Sequence, residues 1–307
     1  MFCSTIIPTV GRPSLNRTVQ SVLQQKAPPF DYEIIVVNDA GRPLPPADWQ
    51  HSPRVQIIQT NRRERGAARN AGAAIARGTY LHFLDDDDWL VPGGLAALQA
   101  QAQRQPDAVL VYGVAQLVNR QDEPLMQLHP TLQGNVLAQT LAGEWLPLQA
   151  SLIRSDAFWA AGGFHPRISG IEDVDLVRRL AVAGDVSGTL ELVACVGMGA
   201  ENSTTDGAKA RLLGQAAREV VLEDGRAWPR LWAAADSSYW RGRIARAYLT
   251  SAVWNGRRGL YATAVSRLLW GGVSSLRAVL DWPRRDYWRA VLRAHQGVAF
   301  ARGRAGD

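Results

Sequence analysis

The sequence has very few cysteines and no long apolar run. Cys3 and Cys195 are the only cysteines among 307 residues. They exclude a disulfide framework and a cysteine-rich metal cluster, so a reducing compartment is expected. No stretch approaches the roughly 20 uninterrupted apolar residues of a membrane-spanning helix. The first eight residues lack a basic leader and a long apolar segment, so we expect no secretory signal. The composition predicts a globular protein with a main domain and a smaller appendage.

Charge is divided unevenly along the chain. Residues 1–204 have a net charge of −4, whereas residues 205–307 have a net charge of +10 and contain seven of the eleven tryptophans. Basic charge interleaved with aromatic residues fits contact with an anionic membrane surface. It fits equally a helical appendage whose tryptophans pack inward and whose arginines are solvated. The composition leaves both interpretations open and gives little support to nucleic acid as a partner.

Apolar runs alternate with helical patterns in the first 112 residues. Alternating strands and helices predict an α/β fold with a mostly parallel sheet covered on both faces. After about residue 113 the pattern weakens, and from about residue 208 it is almost wholly helical. The predicted strands are Ser4–Ile7 (ending at Pro8), Glu33–Val37 and Val55–Ile58 (both buried), Tyr80–Leu84 and Ala108–Tyr112. The predicted helices are Leu15–Leu23 with Ser14 as N-cap, Gly66–Ala76, Gly94–Gln103 and one that begins near Asp173.

The acidic run Asp85–Asp88 is the most informative segment, because it directly follows the apolar run Tyr80–Leu84. Adjacent carboxylates disfavour one another's ionisation, so a cation is expected beside them. Mg²⁺ prefers oxygen ligands, often one or two carboxylates plus substrate phosphates. A solvated acidic turn before the next helix is the alternative. Ligands of such sheets bind beyond the carboxyl ends of the strands, so Asp39, after the second strand, is expected on the same rim.

Five motifs in order resemble the family 2 glycosyltransferases of the GT-A fold. They cover roughly residues 3–204. The resemblance implies a GT-A domain over residues 1–204, with a Rossmann-like, mostly parallel sheet flanked by helices, and a helical, basic, Trp-rich region over residues 205–307. The motifs are Ser4–Thr9 with Arg12-Pro13, Leu15–Gln25, Val36–Asp39, Ala68–Gly72 followed by Phe83–Asp88, and Gly162–Phe164 followed by Glu172–Leu176.

The resemblance also implies a reaction. An inverting glycosyltransferase moves a sugar from a nucleoside diphosphate sugar, here expected to be a UDP-sugar, to a hydroxyl of a glycan or lipid-linked acceptor. The implied cofactor is Mn²⁺ or Mg²⁺, which stabilises the charge of the leaving diphosphate. The expected location is the cytoplasm, with the basic C-terminal region on the inner face of the plasma membrane.

Site roles follow from the resemblance residue by residue. Asp87 would bind the metal with Asp85 assisting, and Asp86 could instead face the ribose. The sequence leaves open which of the three aspartates has which role. Asp173 matches the general base and Glu172 is its close competitor, although acids are also common in the first turn of a helix. We expect Asp87 and Asp173 to face each other across one cleft. The implied donor-binding residues are Pro8, Thr9, Arg12, Asp39, Arg69 and Asp86.

Three positions depart from the family pattern. Asn38 stands where an aspartate is common, and Glu64 stands where a glycine is common before the Ala-Arg-Asn segment. Gly199 lies near the position where relatives carry a histidine that helps bind the metal or diphosphate, and Glu201 could replace that histidine. These departures leave an alternative function, a non-catalytic sugar-nucleotide-binding or scaffold protein that retains the fold.

Overall fold

The computed structural model describes residues 2–25, 31–61, 64–168, 170–198 and 207–293. Strands and helices alternate through most of this chain, and its last part is helical. The strands are β1 (Phe2–Thr9), β2 (Asp31–Asn38), β3 (Val55–Gln59), β4 (Tyr80–Phe83), β5 (Trp89–Leu90), β6 (Leu110–Val118), β7 (Pro124–Leu128), β8 (Ser151–Arg154) and β9 (Val186–Gly197). The helices are α1 (Leu15–Leu23), α2 (Arg65–Ile75), α3 (Gly94–Arg104), α4 (Leu137–Ala142), α5 (Ser155–Ala160), α6 (Glu172–Ala183), α7 (Gly207–Glu223), α8 (Ala227–Ala234), α9 (Ser238–Arg257), α10 (Tyr261–Arg277) and α11 (Arg285–Leu292).

The described strands form one sheet in the order β3-β2-β1-β4-β8-β6-β9-β5, with β7 paired to β6. The pairs from β3 to β4 are parallel, as predicted. Beyond β4 the sheet is mixed, because β8 runs antiparallel to both β4 and β6. β3 lies at the edge, and most of its side chains are exposed or half-buried. The prediction that this strand is buried is therefore wrong, since an edge strand has a neighbour on one side only.

Two local predictions near the N-terminus are also corrected. β1 does not end at Pro8 but continues to Thr9, with Pro8 opposite Val37 of β2. The pairing of β1 with β4 ends at Ile6, so the missing N–H of Pro8 removes no ladder bond on that side. Ser14 precedes α1, but it has helical backbone angles and its side chain makes no capping hydrogen bond.

The chain divides into two compact units. The first contains residues 1–134 and 146–210, and the second contains residues 135–145 and 211–307. Helix α4 thus belongs to the second unit, although it precedes the last strands of the sheet. The predicted boundary after residue 204 falls outside the described residues. Within the described residues, no helix combines the length and apolar character that crossing a membrane requires.

Helix α2 packs closely on the parallel strands because Gly72 faces them. A Cβ at Gly72 would lie 2.5 Å from Cγ2 of Ile6 and 2.9 Å from Cγ2 of Val37. Ile6 and Val37 are fully buried in β1 and β2, so they have little room to move. This close approach places the first turn of α2 at the carboxyl ends of the strands.

We predict that Gly72→Ala lowers stability. Overpacking a buried contact typically costs about 1–3 kcal/mol, which outweighs the gain of roughly 1 kcal/mol in helix propensity. Chemical denaturation measures the change in the free energy of unfolding. Gly272→Ala is the matched control, because Gly272 lies in α10 and an added methyl group there would meet open space. Equal stability of both variants would contradict the close packing.

Candidate active site

The carboxylates of Asp85–Asp88 have different surroundings. The backbone N–H of Asp88 donates to the carbonyl of Asp85 at 3.1 Å and closes a turn directly after β4. The Asp88 side chain is buried and accepts from the N–H of Gly197 at 2.8 Å. Burial, with the charges of Asp85 and Asp87, raises the pKa of Asp88 well above its usual range. Asp88 therefore anchors the turn to β9.

Two predicted donor-binding residues contact the middle of this turn. The hydroxyl of Thr9 donates to Oδ2 of Asp86 at 2.6 Å. Nη1 of Arg12 donates to Oδ1 of Asp86 at 3.0 Å and to Oδ2 of Asp87 at 2.8 Å. Burial and the charges of Asp87 and Asp85 raise the pKa of Asp86, although the contacts with Thr9 and Arg12 lower it. The structure thus gathers Thr9, Arg12, Asp86 and Asp87 into one cluster at the end of β1.

Arg69 connects the turn to helix α6. Its Nη2 donates to Oδ1 of Asp85 at 2.5 Å, and its Nη1 donates to Oε1 of Glu172 at 3.0 Å. Burial alone would raise the pKa of Asp85, but the charge and hydrogen bonds of Arg69 hold it below its usual value. Burial alone would lower the pKa of Arg69, but the two carboxylates raise it. The ion pair between Arg69 and Asp85 therefore stays charged near neutral pH.

A cavity of about 100 Å³ lies beside these ion pairs, and Asp85 and Asp173 both line it. Asp87 is not among the lining residues, because its carboxylate contacts Arg12. The cleft expected between Asp87 and Asp173 is thus replaced by one between Asp85 and Asp173. The lining residues are Arg65, Arg69, Phe83, Asp85, Leu148, Gln149, Gly170, Glu172 and Asp173.

The two candidates for general base differ in their contacts. Glu172 is buried, and both of its oxygens are engaged, one by Arg69 and the other by the N–H of Gly170 at 2.6 Å. Asp173 also lines the cavity, and its Oδ1 accepts from the N–H of Val174 at 2.8 Å, but its side chain is more exposed than that of Glu172. A group that takes a proton from a substrate must be within hydrogen-bond reach of it. The geometry therefore favours Asp173 over Glu172.

The Gly-Gly-Phe segment, residues 162–164, packs against α2 beside Arg69. The side-chain amide of Asn70 donates to the carbonyl of Phe164 at 2.8 Å and accepts from its N–H at 2.9 Å. The φ angle of Gly163 is +63°, and a Cβ there would lie 2.8 Å from Oδ1 of Asn70. The guanidinium of Arg69 lies 5.3 Å from the ring centre of Phe164. These contacts hold Arg69 where it can reach both carboxylates.

Asp39 lies at the end of β2 and organises the neighbouring loop. Its backbone N–H donates to the carbonyl of Thr9 at 2.8 Å. Its carboxylate accepts from the hydroxyl of Thr60 at 2.9 Å and from the N–H of Glu64 at 2.8 Å. Glu64 in turn caps α2, because its side chain accepts from the N–H of Gly66 at 2.9 Å. Glu64, at a position where the resemblance led us to expect a glycine, thus begins the helix that carries Arg69.

Carboxylate oxygens are suitable ligands for Mg²⁺ or Mn²⁺, but the described residues include no group of three or more His, Cys, Asp or Glu side chains that could hold a metal ion. Magnesium is often bound by only one or two carboxylates together with substrate phosphates. The side chains of Asp85 and Asp87 are each about one quarter exposed. These two residues therefore fit a cation that binds together with a diphosphate.

Comparison with known proteins identifies the family. The model of the family "Glycosyl transferase family 2" matches residues 4–161, which is half of the chain. The chain belongs to this family. The match includes the turn Asp85–Asp88, Arg69 and Asp39, and it ends before Glu172 and Asp173.

Several family 2 relatives are similar over part of their length. An uncharacterized glycosyltransferase of Haemophilus influenzae is 27% identical, over 58% of this chain and 61% of that protein. The uncharacterized glycosyltransferase YwdF of Bacillus subtilis is 33% identical, over 40% of this chain and 45% of that protein. The poly(ribitol-phosphate) beta-N-acetylglucosaminyltransferase TarP of Staphylococcus aureus is 30% identical, over 36% of each chain. The chain thus spans less than two thirds of the length of these relatives.

Solved structures confirm the predicted GT-A fold and the helical C-terminal region. The structure of residues 1–349 of S. aureus TarS in complex with UDP-GlcNAc superimposes with a TM-score of 0.62. The superposition covers 95% of this chain and 90% of the TarS chain, at 14% identity. The same part of TarS in complex with UDP gives a TM-score of 0.59. At such low identity the similarity concerns the fold alone.

Gln149 is a site residue that the sequence does not reveal. It lies in the short 3₁₀ turn Leu148–Ala150 and lines the cavity. Its side-chain Nε2 donates to Oδ2 of Asp85 at 3.2 Å, and its backbone carbonyl oxygen is 2.9 Å from Nε2 of His82. Burial lowers the pKa of His82 to about 4, so this ring is neutral. No motif marks Gln149, because the sheet topology alone brings it beside Asp85. Arg65 also lines the cavity, and its position four residues before Arg69 places both arginines on one side of α2.

The departure at Gly199 falls in a part of the chain that the structure does not describe. Gly199 and Glu201 both lie outside the described residues. Pro8, the remaining predicted donor-binding residue, lies inside β1 opposite Val37. A proline there shapes the backbone before the Thr9–Arg12 loop.

We predict that Arg69→Ala is strongly destabilising, because it leaves Asp85 and Glu172 without their shared cation. Removing one partner of a buried ion pair typically costs about 3–5 kcal/mol. Arg69→Lys keeps the charge but not the fork that reaches two carboxylates, so an intermediate loss is expected. The measurement is the free energy of unfolding, with Arg65→Ala, one turn earlier in α2, as control. If Arg69→Ala were as stable as Arg65→Ala, the ion pairs would not hold the turn.

Proposed function

We propose that the protein transfers a sugar, with inversion, from a nucleoside diphosphate sugar to a hydroxyl of a glycan or lipid-linked acceptor. The observation that carries this proposal is the cavity lined by both Asp85 and Asp173, with Arg69 between the acidic turn and α6. This cavity combines the carboxylate of Asp85, which fits a cation, with the separate carboxylate of Asp173, which can accept a proton. Family membership supports the same reaction class.

The proposed reaction needs one proton acceptor. The acceptor hydroxyl oxygen attacks the anomeric carbon, the bond from that carbon to the diphosphate breaks, and the nucleoside diphosphate leaves with the bonding electrons. Asp173 takes the hydroxyl proton during the attack. General-base catalysis of this kind contributes about 10²–10⁴-fold in rate. Glu172 has a different role, since its contacts with Arg69 and Gly170 hold the loop before α6.

A UDP-sugar is the proposed donor. TarS has been solved with UDP-GlcNAc and with UDP, and TarP is named for transfer of N-acetylglucosamine to poly(ribitol-phosphate). Thr9, Arg12 and Asp39 are adjacent at the ends of β1 and β2, where parallel sheets bind ligands. We assign these three residues to nucleotide binding, and Pro8 shapes the backbone that precedes Thr9. Arg69 and Asp86 instead stabilise the turn Asp85–Asp88.

Asp87, assisted by Asp85, is the proposed site of Mn²⁺ or Mg²⁺. When bound, the cation would stabilise the negative charge of the leaving diphosphate. Arg12 now neutralises Asp87 at 2.8 Å, so a diphosphate that attracts Arg12 would release this carboxylate for the cation. The same contact supports the alternative function, in which Arg12 keeps Asp87 occupied and the protein binds a sugar nucleotide without turnover.

The general base is tested by Asp173→Asn. We expect transfer to fall by about 10²–10⁴-fold, while the Kd of the UDP-sugar stays nearly unchanged, because Asp173 acts on the acceptor. Release of nucleoside diphosphate from a panel of UDP-sugars measures the rate, and calorimetry measures binding. Glu172→Gln is the matched control, for which we expect lower stability and a smaller loss of rate. Weaker donor binding in Asp173→Asn would reassign the residue. Nucleotide binding without turnover by the unmodified protein would favour the alternative function.

The metal site is tested by Asp87→Ala. We expect it to weaken binding of Mn²⁺ and of UDP together, since the cation and the diphosphate share the site. Calorimetric titration of UDP with and without Mn²⁺ measures this coupling. Asp156→Ala removes a carboxylate from an exposed ion pair elsewhere and should leave both affinities unchanged. If Asp87→Ala bound UDP and Mn²⁺ as the unmodified protein does, the metal assignment would be wrong.

A further inference from the structure

Helix α10 has the reverse of the usual amphipathic pattern. Its buried side carries small or polar residues, whereas large apolar side chains are exposed. Gly271 packs against α9, and a Cβ there would lie 3.4 Å from Cβ of Tyr248. The buried residues on this side of α10 and just after it are Ala264, Arg267, Gly271, Ser274 and Ala278.

The opposite side, here called the outer face of α10, is apolar and exposed. Leu269 and Leu276 are each 66% exposed, and Leu280 is 86% exposed. These residues follow the three- and four-residue spacing of one helical side. A contiguous exposed patch of large apolar residues marks an interaction site in a folded protein. The outer face consists of Tyr261, Val265, Leu268, Leu269, Val273 and Leu276, continued by Val279 and Leu280.

Positive charge flanks the outer face along the chain. Exposed Arg257 and Arg258 precede α10, and exposed Arg284, Arg285 and Arg289 follow it. Residues 259–280 contain no aspartate or glutamate. The next two acids are paired, Asp281 with Arg241 at 2.5 Å and with Arg284 at 3.4 Å, and Asp286 with Arg289 at 3.4 Å.

Exposed indole rings stand beside the same arginines. Trp282 and Trp288 are both exposed, and Nε1 of Trp288 donates to the carbonyl of Trp282 at 2.8 Å. Tryptophan is favoured at the boundary between lipid headgroups and acyl chains, because its ring is apolar and its N–H is polar. Apolar, basic and aromatic residues therefore occur together in this part of the second unit.

We propose that the outer face of α10 lies on an anionic lipid membrane, parallel to its surface. The apolar side chains would enter the headgroup region, and the flanking arginines would contact lipid phosphates. A second copy of this chain fits the face less well. A symmetric contact places the same residues of both copies opposite each other, so it would bring the two sets of arginines together. This proposal does not depend on the transferase activity.

The first test measures binding of the full chain to vesicles. We expect it to sediment with vesicles of phosphatidylglycerol and phosphatidylcholine, and to bind phosphatidylcholine vesicles much more weakly. The double variant Leu269→Gln, Leu276→Gln should partition onto the anionic vesicles at least about tenfold more weakly. Its melting temperature should be unchanged, because both side chains are already exposed. The matched control is Leu125→Gln, Leu190→Gln, which alters two exposed leucines of the first unit and should bind as the unmodified chain does.

The second test separates the charge from the apolar face. Replacing Arg257, Arg258, Arg284 and Arg285 with glutamine should lower partitioning onto the anionic vesicles by at least about tenfold, since each basic residue near such a surface adds to the attraction. Added salt should lower the vesicle partitioning of the unmodified chain to nearly the level of this variant. Neither test uses a sugar donor, so a protein without transferase activity would still show both effects.

Two results would overturn the proposal. One is equal vesicle binding by the Leu269→Gln, Leu276→Gln variant and its control. The other is a stable dimer in sedimentation velocity that this variant dissociates, without vesicle binding by the unmodified chain, because the occupant would then be a second copy.

Discussion

The site depends on one buried guanidinium that two carboxylates share. Arg69 joins Asp85, in the turn after β4, to Glu172, at the start of α6. These acids are 87 residues apart in the sequence, so no local interaction could place them side by side. Asn70 adds a second connection to the same region through Phe164. Consecutive residues of α2 thus determine where the cavity lies and which acid faces it.

The first half of the fold is readable from sequence, because its strands are short apolar runs separated by helical patterns and by Gly or Pro. The later strands are less evident. β9 exposes Leu190, and β7 exposes Leu125, so neither shows the continuous apolar run of a buried parallel strand. The insertion of β8 between β4 and β6 follows from pairing between distant segments, which local patterns do not encode. Gln149 escapes prediction for this reason.

The sequence predicts the neighbourhood of the site better than its detailed contacts. Thr9, Arg12 and Asp86 do meet, and Asp173 does line a cavity beside the acidic turn. Which carboxylate faces which arginine depends on the directions of successive side chains in a tight turn. The turn sends Asp85 towards Arg69 and Asp87 towards Arg12, so Asp85 rather than Asp87 shares the cavity with Asp173.

The small residues on the buried side of α10 have a thermodynamic consequence. Gly271 packs against Tyr248 of α9, and Ala264 lies beside Gly256 of the same helix. A contact between such residues rests on close approach of the backbones and removes little hydrocarbon from water. The heat-capacity increment of unfolding scales with the apolar area that becomes hydrated. The side of α10 that packs on α9 therefore adds little to that increment.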